Sequence, residues 1–199
     1  QLLLGEMPVL SGRVRIHRGE GIGYAPQSSW ICNATVRENI LMHRPMERAW
    51  YDEVVRCCAL GRDLQSLSNG DSTEIGERGV TISGGQRARL SLARALYGRP
   101  SLLLLDDPLS AVDQHVAQQL MRDAIIGLGR RAIGATVVLV THQVQYAWGM
   151  ADRVLVLSSG CVVAAGSVAD VHASGHLERT TMHGVEVAPA PTHAETTAE

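Results

Sequence analysis

Four leucines at residues 102–105 run without a polar break into Asp106 and Asp107. A strand with no polar alternation is covered on both faces, which in a chain of this size means a central strand of a parallel sheet flanked by helices. A second such run, Thr136 to Val140, follows a helical pattern over residues 116–126. The two therefore read as central parallel strands joined by a crossover helix. The fold class this implies is α/β. At 199 residues the chain has room for one such domain with a real core.

The remaining pattern supplies shorter elements. Residues 13–16 and 22–25 read as strands, residues 35–41 and 46–60 as helices, and residues 61–82 as a polar loop punctuated by glycine. A helix is expected over residues 83–97, where Leu90, Ala93 and Tyr97 recur at helical spacing and Gly98 and Pro100 follow. Residues 154–157 and 161–164 flank Ser158-Ser159-Gly160 as a hairpin, and Ser167 with Asp170 opens a short helix through a capping box. At the start, Leu2-Leu3-Leu4 followed by Gly5 looks like the end of a helix with a glycine cap. Residues 177–199 are rich in Thr, Ala, Pro, Glu and His and are expected to be a disordered tail or linker.

Charge and cysteine content narrow the function. Eighteen basic side chains against 20 acidic ones give a net charge of -2, which argues against a nucleic-acid partner. No apolar run approaches the roughly 18 residues that span a bilayer. Cys32, Cys57, Cys58 and Cys161 form no C-x-x-C pair and are expected as buried thiols in a reducing compartment. His17, His43, His115, His172, His176, His183 and His193 show no ligand spacing. Trp30 reads as either a core residue or an interface anchor.

Two constellations carry chemistry. Asp106 and Asp107 end an apolar strand, where open α/β sheets bind ligands and where one Asp holds Mg²⁺ in nucleotide-hydrolysing domains. Ile82-Ser83-Gly84-Gly85-Gln86 opens the helix upstream, and a hydroxyl with two glycines at a helix N-terminus presents free N–H groups and a positive dipole end to a phosphate. The run over residues 82–97, ISGGQRARLSLARALY, resembles the signature motif and following helix of ATP-binding cassette (ABC) domains. Tyr24-Ala25-Pro26-Gln27 resembles the Q-loop, residues 102–106 the Walker B strand, Ser110-Ala111-Val112-Asp113 the D-loop, and Thr141-His142 the switch-histidine position. Residues 27–31 and 33–40, with Asp107 standing where most cassettes have Glu, resemble the first cassette of the C subfamily, the multidrug-resistance-associated exporters.

The resemblance covers residues 1–176 and implies an ABC ATPase core of the P-loop NTPase type with a helical subdomain near residues 30–95. It implies ATP and Mg²⁺, with Asp106 and Gln27 on the metal and Asp107 as a weakened base. Gln27 and His142 would order water and γ-phosphate, and Ser83, Gly84, Gly85, Gln86 and Asp113 would meet nucleotide. The implied partners are a second nucleotide-binding domain, docked head to tail, and the coupling helices of transmembrane domains at the cytoplasmic face of a membrane. The G-x-x-x-x-G-K-[ST] phosphate loop is not in this sequence. The family pattern places it just before Gln1, so the N-terminal part of the fold is expected to be absent and the fragment inactive alone. The competing expectation is a non-catalytic cassette module that only completes a partner's ATP site. A soluble cassette protein of DNA repair or translation is a third, disfavoured by the near-neutral charge.

Overall fold

The computed structural model describes residues 1–16, 19, 21–77 and 79–175. The expected tail at residues 177–199 lies outside them. In chain order the elements are β1 (Ile22–Ala25), β2 (Ala34–Thr35), α1 (Val36–Leu41), α2 (Arg48–Cys57), α3 (Gly61–Ser66), β3 (Glu74–Ile75), α4 (Gly84–Tyr97), β4 (Leu102–Asp106), α5 (Gln114–Gln119), β5 (Thr136–Val140), α6 (Val144–Ala147), β6 (Val154–Ser158), β7 (Cys161–Gly166) and α7 (Val168–Ala173). A 3₁₀ turn at Leu2–Leu4 closes on Gly5 at φ 80°, the left-handed cap expected there. The described residues divide into two compact units, the first ending at Val140 and the second beginning at Thr141.

The first unit is built on a parallel sheet in the order β1-β4-β5. Leu102 pairs with Ile22 on one side and Thr136 on the other, and the register holds through Leu105, opposite Ala25 and Leu139. Four consecutive residues of β4 are buried, as the unbroken apolar run requires. β5 departs from expectation. It pairs on one side only among the described residues, and Val140 is 58% exposed, so it is the sheet's edge rather than a central strand.

Helix α4 lies against β1 because Gly23 lets it approach. A Cβ at Gly23 would sit 2.5 Å from the Ala95 carbonyl oxygen and 2.7 Å from Pro100 Cγ. Leu92, Leu96, Leu103, Leu105, Leu120 and Ile125 are among the fully buried side chains. The crossover helix is longer than the expected 116–126: α5 continues without interruption as a π-helix over Leu120–Ala132, much longer than the single π turns usual in proteins.

Four further expectations are corrected. Residues 13–16 form no strand, since alternation of Arg13, Val14, Arg15 and Ile16 is not enough where no neighbouring strand pairs with it. The single helix expected over 46–60 is α2, ended at Cys57 and followed by Ala59 in a left-handed conformation at φ 54°. Residues 61–82 are not a loop throughout: they hold α3, a 3₁₀ turn at Gly70–Ser72, and β3, which pairs with β2. The cysteines also divide: Cys57 and Cys58 are buried, whereas Cys32 and Cys161 are exposed.

Arg37 of α1 reaches the 3₁₀ turn, where Nε and Nη2 donate to the two oxygens of Asp71 at 2.9 and 2.7 Å. These bonds hold the Asp71 carboxyl below its ordinary value. The stability they supply is complete above the unfolded value near ~4 and is lost as pH falls through the lower folded value. Asp71→Asn should therefore lower the urea midpoint at pH 7 and leave it nearly unchanged at the most acid pH where the protein stays folded. An equal loss at both pH values would contradict the assignment.

In the second unit β6 and β7 form an antiparallel hairpin turning at Ser159 and Gly160, both at positive φ. Ser167 caps α7 through the expected box with Asp170. Val156 and Val171 pack with Val144, Trp148, Val154 and Ala164. Among the described residues no helix is long and apolar enough to cross a membrane.

Candidate functional site

Parallel pairing brings the C-terminal ends of β1, β4 and β5 to one edge of the sheet. Gln27 follows β1 there and is exposed; Asp106 ends β4 half-buried. Burial first, and then the charge of Asp106, push the Tyr24 phenol upward, which puts that carboxylate within electrostatic reach of β1. Asp107 is 6% exposed and left-handed at φ 49°, a conformation that Asp tolerates better than most residues. Its N–H donates to the Val140 carbonyl at 2.8 Å, and its own carbonyl accepts from the Ser110 hydroxyl at 2.9 Å. Strain at a strand end that also carries a buried carboxylate is a mark of functional sites.

The N-terminus of α4 is the second feature. Ser83 is the N-cap, its Oγ accepting from the Gln86 N–H at 3.2 Å while Gln86 Oε1 accepts from the Ser83 N–H at 2.8 Å. Ser83 and Gly84 are exposed, so the end of this 14-residue helix opens to solvent. Gly85 is required by a neighbour: a Cβ there would lie 2.9 Å from the Ala111 carbonyl oxygen, whereas at Gly84 it would meet only the Ala111 methyl at 4.0 Å. The 110–113 turn thus packs directly on the start of α4. Asp113, expected to meet nucleotide, caps α5 by accepting from Val116 N–H at 3.0 Å, which with burial opposing it holds the carboxyl below its ordinary range.

A buried polar strut joins this helix to the chain beyond Gln27. Arg94 of α4 donates to the Asn39 carbonyl at 2.8 Å, to Asn39 Oδ1 at 3.1 Å and to the Trp30 carbonyl at 3.2 Å, with its guanidinium 3.8 Å over the Trp30 ring. Asn39, fully buried, also accepts from the Cys32 N–H and donates to the Cys32 and Thr35 carbonyls. Burial lowers the Arg94 pKa, as it must for a cation faced by carbonyls and an indole rather than a carboxylate. Trp30 is accordingly neither core nor free: it is 46% exposed and forms the lid of Arg94.

Sequence reasoning missed Arg94 and Asn39, although a signal was present: Arg94 falls on the apolar stripe of α4 between Leu90 and Tyr97, where a charge needs an explanation. Asp63, which accepts from Gln86 Nε2, and Arg89, which pairs with Asp63, were also missed, and nothing in their spacing points to them. His142 belongs to the second unit, two residues beyond β5 in sequence. No group of three metal-ligating His, Cys, Asp or Glu side chains occurs among the described residues.

Residues 1–110 match the family described as ABC transporter. The chain belongs to the ABC transporter family. Its relatives include the ABC-type transporter cicA of Emericella nidulans, 46% identical over 83% of this chain and 11% of the relative. ABC transporter C family member 6 of Arabidopsis thaliana is 43% identical over 87% of the chain and 11% of that protein. The probable multidrug resistance-associated protein lethal(2)03659 of Drosophila melanogaster is 46% identical over 83% of the chain and 12% of that protein. These place it among the C-type, multidrug-resistance-associated ATP-binding domains, and it spans about a ninth of their length. The mixed α/β fold with its parallel sheet is that of an ABC ATPase core.

Proposed function

We propose that this chain is the greater part of an ATP-hydrolysing domain in a C-type ABC exporter, held at the cytoplasmic face of a membrane, where ATP-driven closure against a second nucleotide-binding domain is coupled to transport. The observation that carries this reading is the exposed Ser83-Gly84 end of α4 in the same unit as the Asp106-Asp107 strand end. Ser83 and the Gly84 and Gly85 N–H groups would bind the γ-phosphate of nucleotide on the facing domain. The short Asp107 carboxylate would orient water weakly, assisted by Gln27, while His142 is assigned γ-phosphate contact by the family resemblance alone.

The donors fit Mg²⁺. The Asp106 carboxylate and the Gln27 amide oxygen are hard ligands, and Mg²⁺ in phosphate sites is held by one or two carboxylates plus substrate oxygens rather than by a protein cage. Bound there, the ion would neutralise charge developing on the transferred phosphoryl group. Transmembrane coupling helices would meet the helical segment beyond Gln27, which holds α1 and α2. The small net charge supports the absence of a nucleic-acid partner.

The reading is tested by Mg²⁺-dependent phosphate release from the complete transporter, which EDTA should abolish. The 199-residue chain by itself contains no P-loop Lys, and each charge-assisted phosphate contact is worth roughly 1.5–3 kcal/mol. Titration calorimetry of the chain with Mg-ATP should show nothing tighter than about millimolar. A micromolar site would contradict this account. The non-catalytic alternative is favoured by the same Asp107, and is supported if phosphate release proves wholly insensitive to changes at Asp106.

A further inference from the structure

Among the described residues three helices open with a capping box: Thr35 with Glu38, Ser83 with Gln86, and Ser167 with Asp170. In two of them the third helical residue is an acid whose carboxylate serves its own cap. The box at α4 differs, because its third residue is a neutral amide with a second polar end, and that end is gripped from outside the helix. Gln86 Nε2 donates to Asp63 Oδ1 at 3.0 Å. The other carboxylate oxygen, Oδ2, accepts from Arg89 Nη2 at 2.7 Å and Nε at 3.3 Å. Asp63 and Arg89 are 18% and 13% exposed, so the triad is largely withdrawn from water.

The chemistry fixes the amide's orientation. Oε1 must face the Ser83 N–H and Nε2 must face the carboxylate; turning the amide over sets N–H against N–H and oxygen against carboxylate. Glu in place of Gln86 would set two carboxylates together beside a phosphate site. Both ends of Gln86 are therefore committed within the protein, although the sequence groups it with the nucleotide contacts. From this we infer that Asp63 is a positioning residue of the signature motif: anchored by Arg89, it locks the Gln86 carboxamide, which sets the Ser83 N–H and Oγ and aims the Gly84 and Gly85 N–H groups. Its functional half rests on the ATP-site reading proposed above; its structural half does not.

Hydrogen exchange of the 199-residue chain reads the structural half without nucleotide. In Asp63→Ala the Ser83 N–H should exchange about tenfold faster, while the Thr35 and Ser167 N–H groups in the two unclamped boxes, and those of residues 92–96, change less than twofold. Should that variant not fold, Asp63→Asn, which keeps one carbonyl acceptor, is expected to show a smaller rise at the same amide. Unchanged Ser83 exchange in a folded variant overturns the inference.

In the complete transporter, Asp63→Asn should lower ATP turnover by about tenfold, since misplacement of about 1 Å can cost on the order of 100-fold. Gln86→Ala should do the same, and the double variant should be no worse than Gln86→Ala alone, because Asp63 acts through Gln86. Losses that multiply would mean that Asp63 acts on stability only, and overturn the positioning role. An unaltered transporter that releases no phosphate removes the functional reading instead, and the exchange result still decides the clamp.

Discussion

Arg94→Met should cost about 3–5 kcal/mol of folding stability, on the scale of breaking a buried ion pair. The side chain fits the volume, but the Asn39 and Trp30 carbonyls lose their donors inside the protein, at about 1–3 kcal/mol for each orphaned acceptor. Stacking on Trp30 goes too, worth about 0.5–2 kcal/mol. Arg94→Lys should fare little better, because one ammonium cannot span three acceptors lying in the fork of a guanidinium. Measured as a urea midpoint, either change removes about a fifth or more of the roughly 5–15 kcal/mol that holds a domain together. A loss below about 1 kcal/mol would show that the strut is not what ties residues 30–39 to α4.

The sheet was legible because β4 is buried on both faces and burial writes itself as an unbroken apolar run. Helix α4 was legible from Ser83 to Gly98 because its cap, its stripe and its stop residues agree. The edge position of β5 was not, since Val137 and Val138 look the same whether or not a further strand lies beside them. The turn at Ala59 was equally hidden: alanine carries no local preference for φ 54°, and long-range packing of Cys58 and Leu60, both buried, imposes it. At the site, Gln27, Asp106 and the Ser83 to Gln86 run sit in motifs and could be named in advance. Asp63 and Arg89 act by meeting each other across the sequence, Asp63 also by meeting Gln86, and Asn39 by meeting Arg94, and composition records no such meeting.

Gly84→Asp should nearly abolish ATP turnover of the complete transporter without unfolding the domain. A Cβ at this position meets nothing closer than the Ala111 methyl at 4.0 Å, and a carboxylate at the first residue of a helix is favoured by its dipole by about 0.3–1 kcal/mol. Stability is thus unchanged or slightly raised. On the proposed reading function is lost, because the carboxylate would occupy the place assigned to the phosphate. Losing one preorganised donor to such charge costs roughly 2.7–4 kcal/mol, or about 100- to 1000-fold, and an added negative charge costs more. Gly85 is no clean substitute, since any Cβ there collides with the Ala111 carbonyl oxygen and moves the 110–113 turn.

The central claim is that this domain's main contribution is made on nucleotide held by its partner, through α4, rather than through its own base. Asp107 is short, buried and conformationally strained. The decisive measurement is steady-state phosphate release by two variants of the purified complete transporter, Gly84→Asp and Asp107→Asn, each confirmed folded by its denaturation midpoint. The account predicts loss of at least about 100-fold for Gly84→Asp and less than about threefold for Asp107→Asn. Comparable losses, or the reverse order, would contradict it.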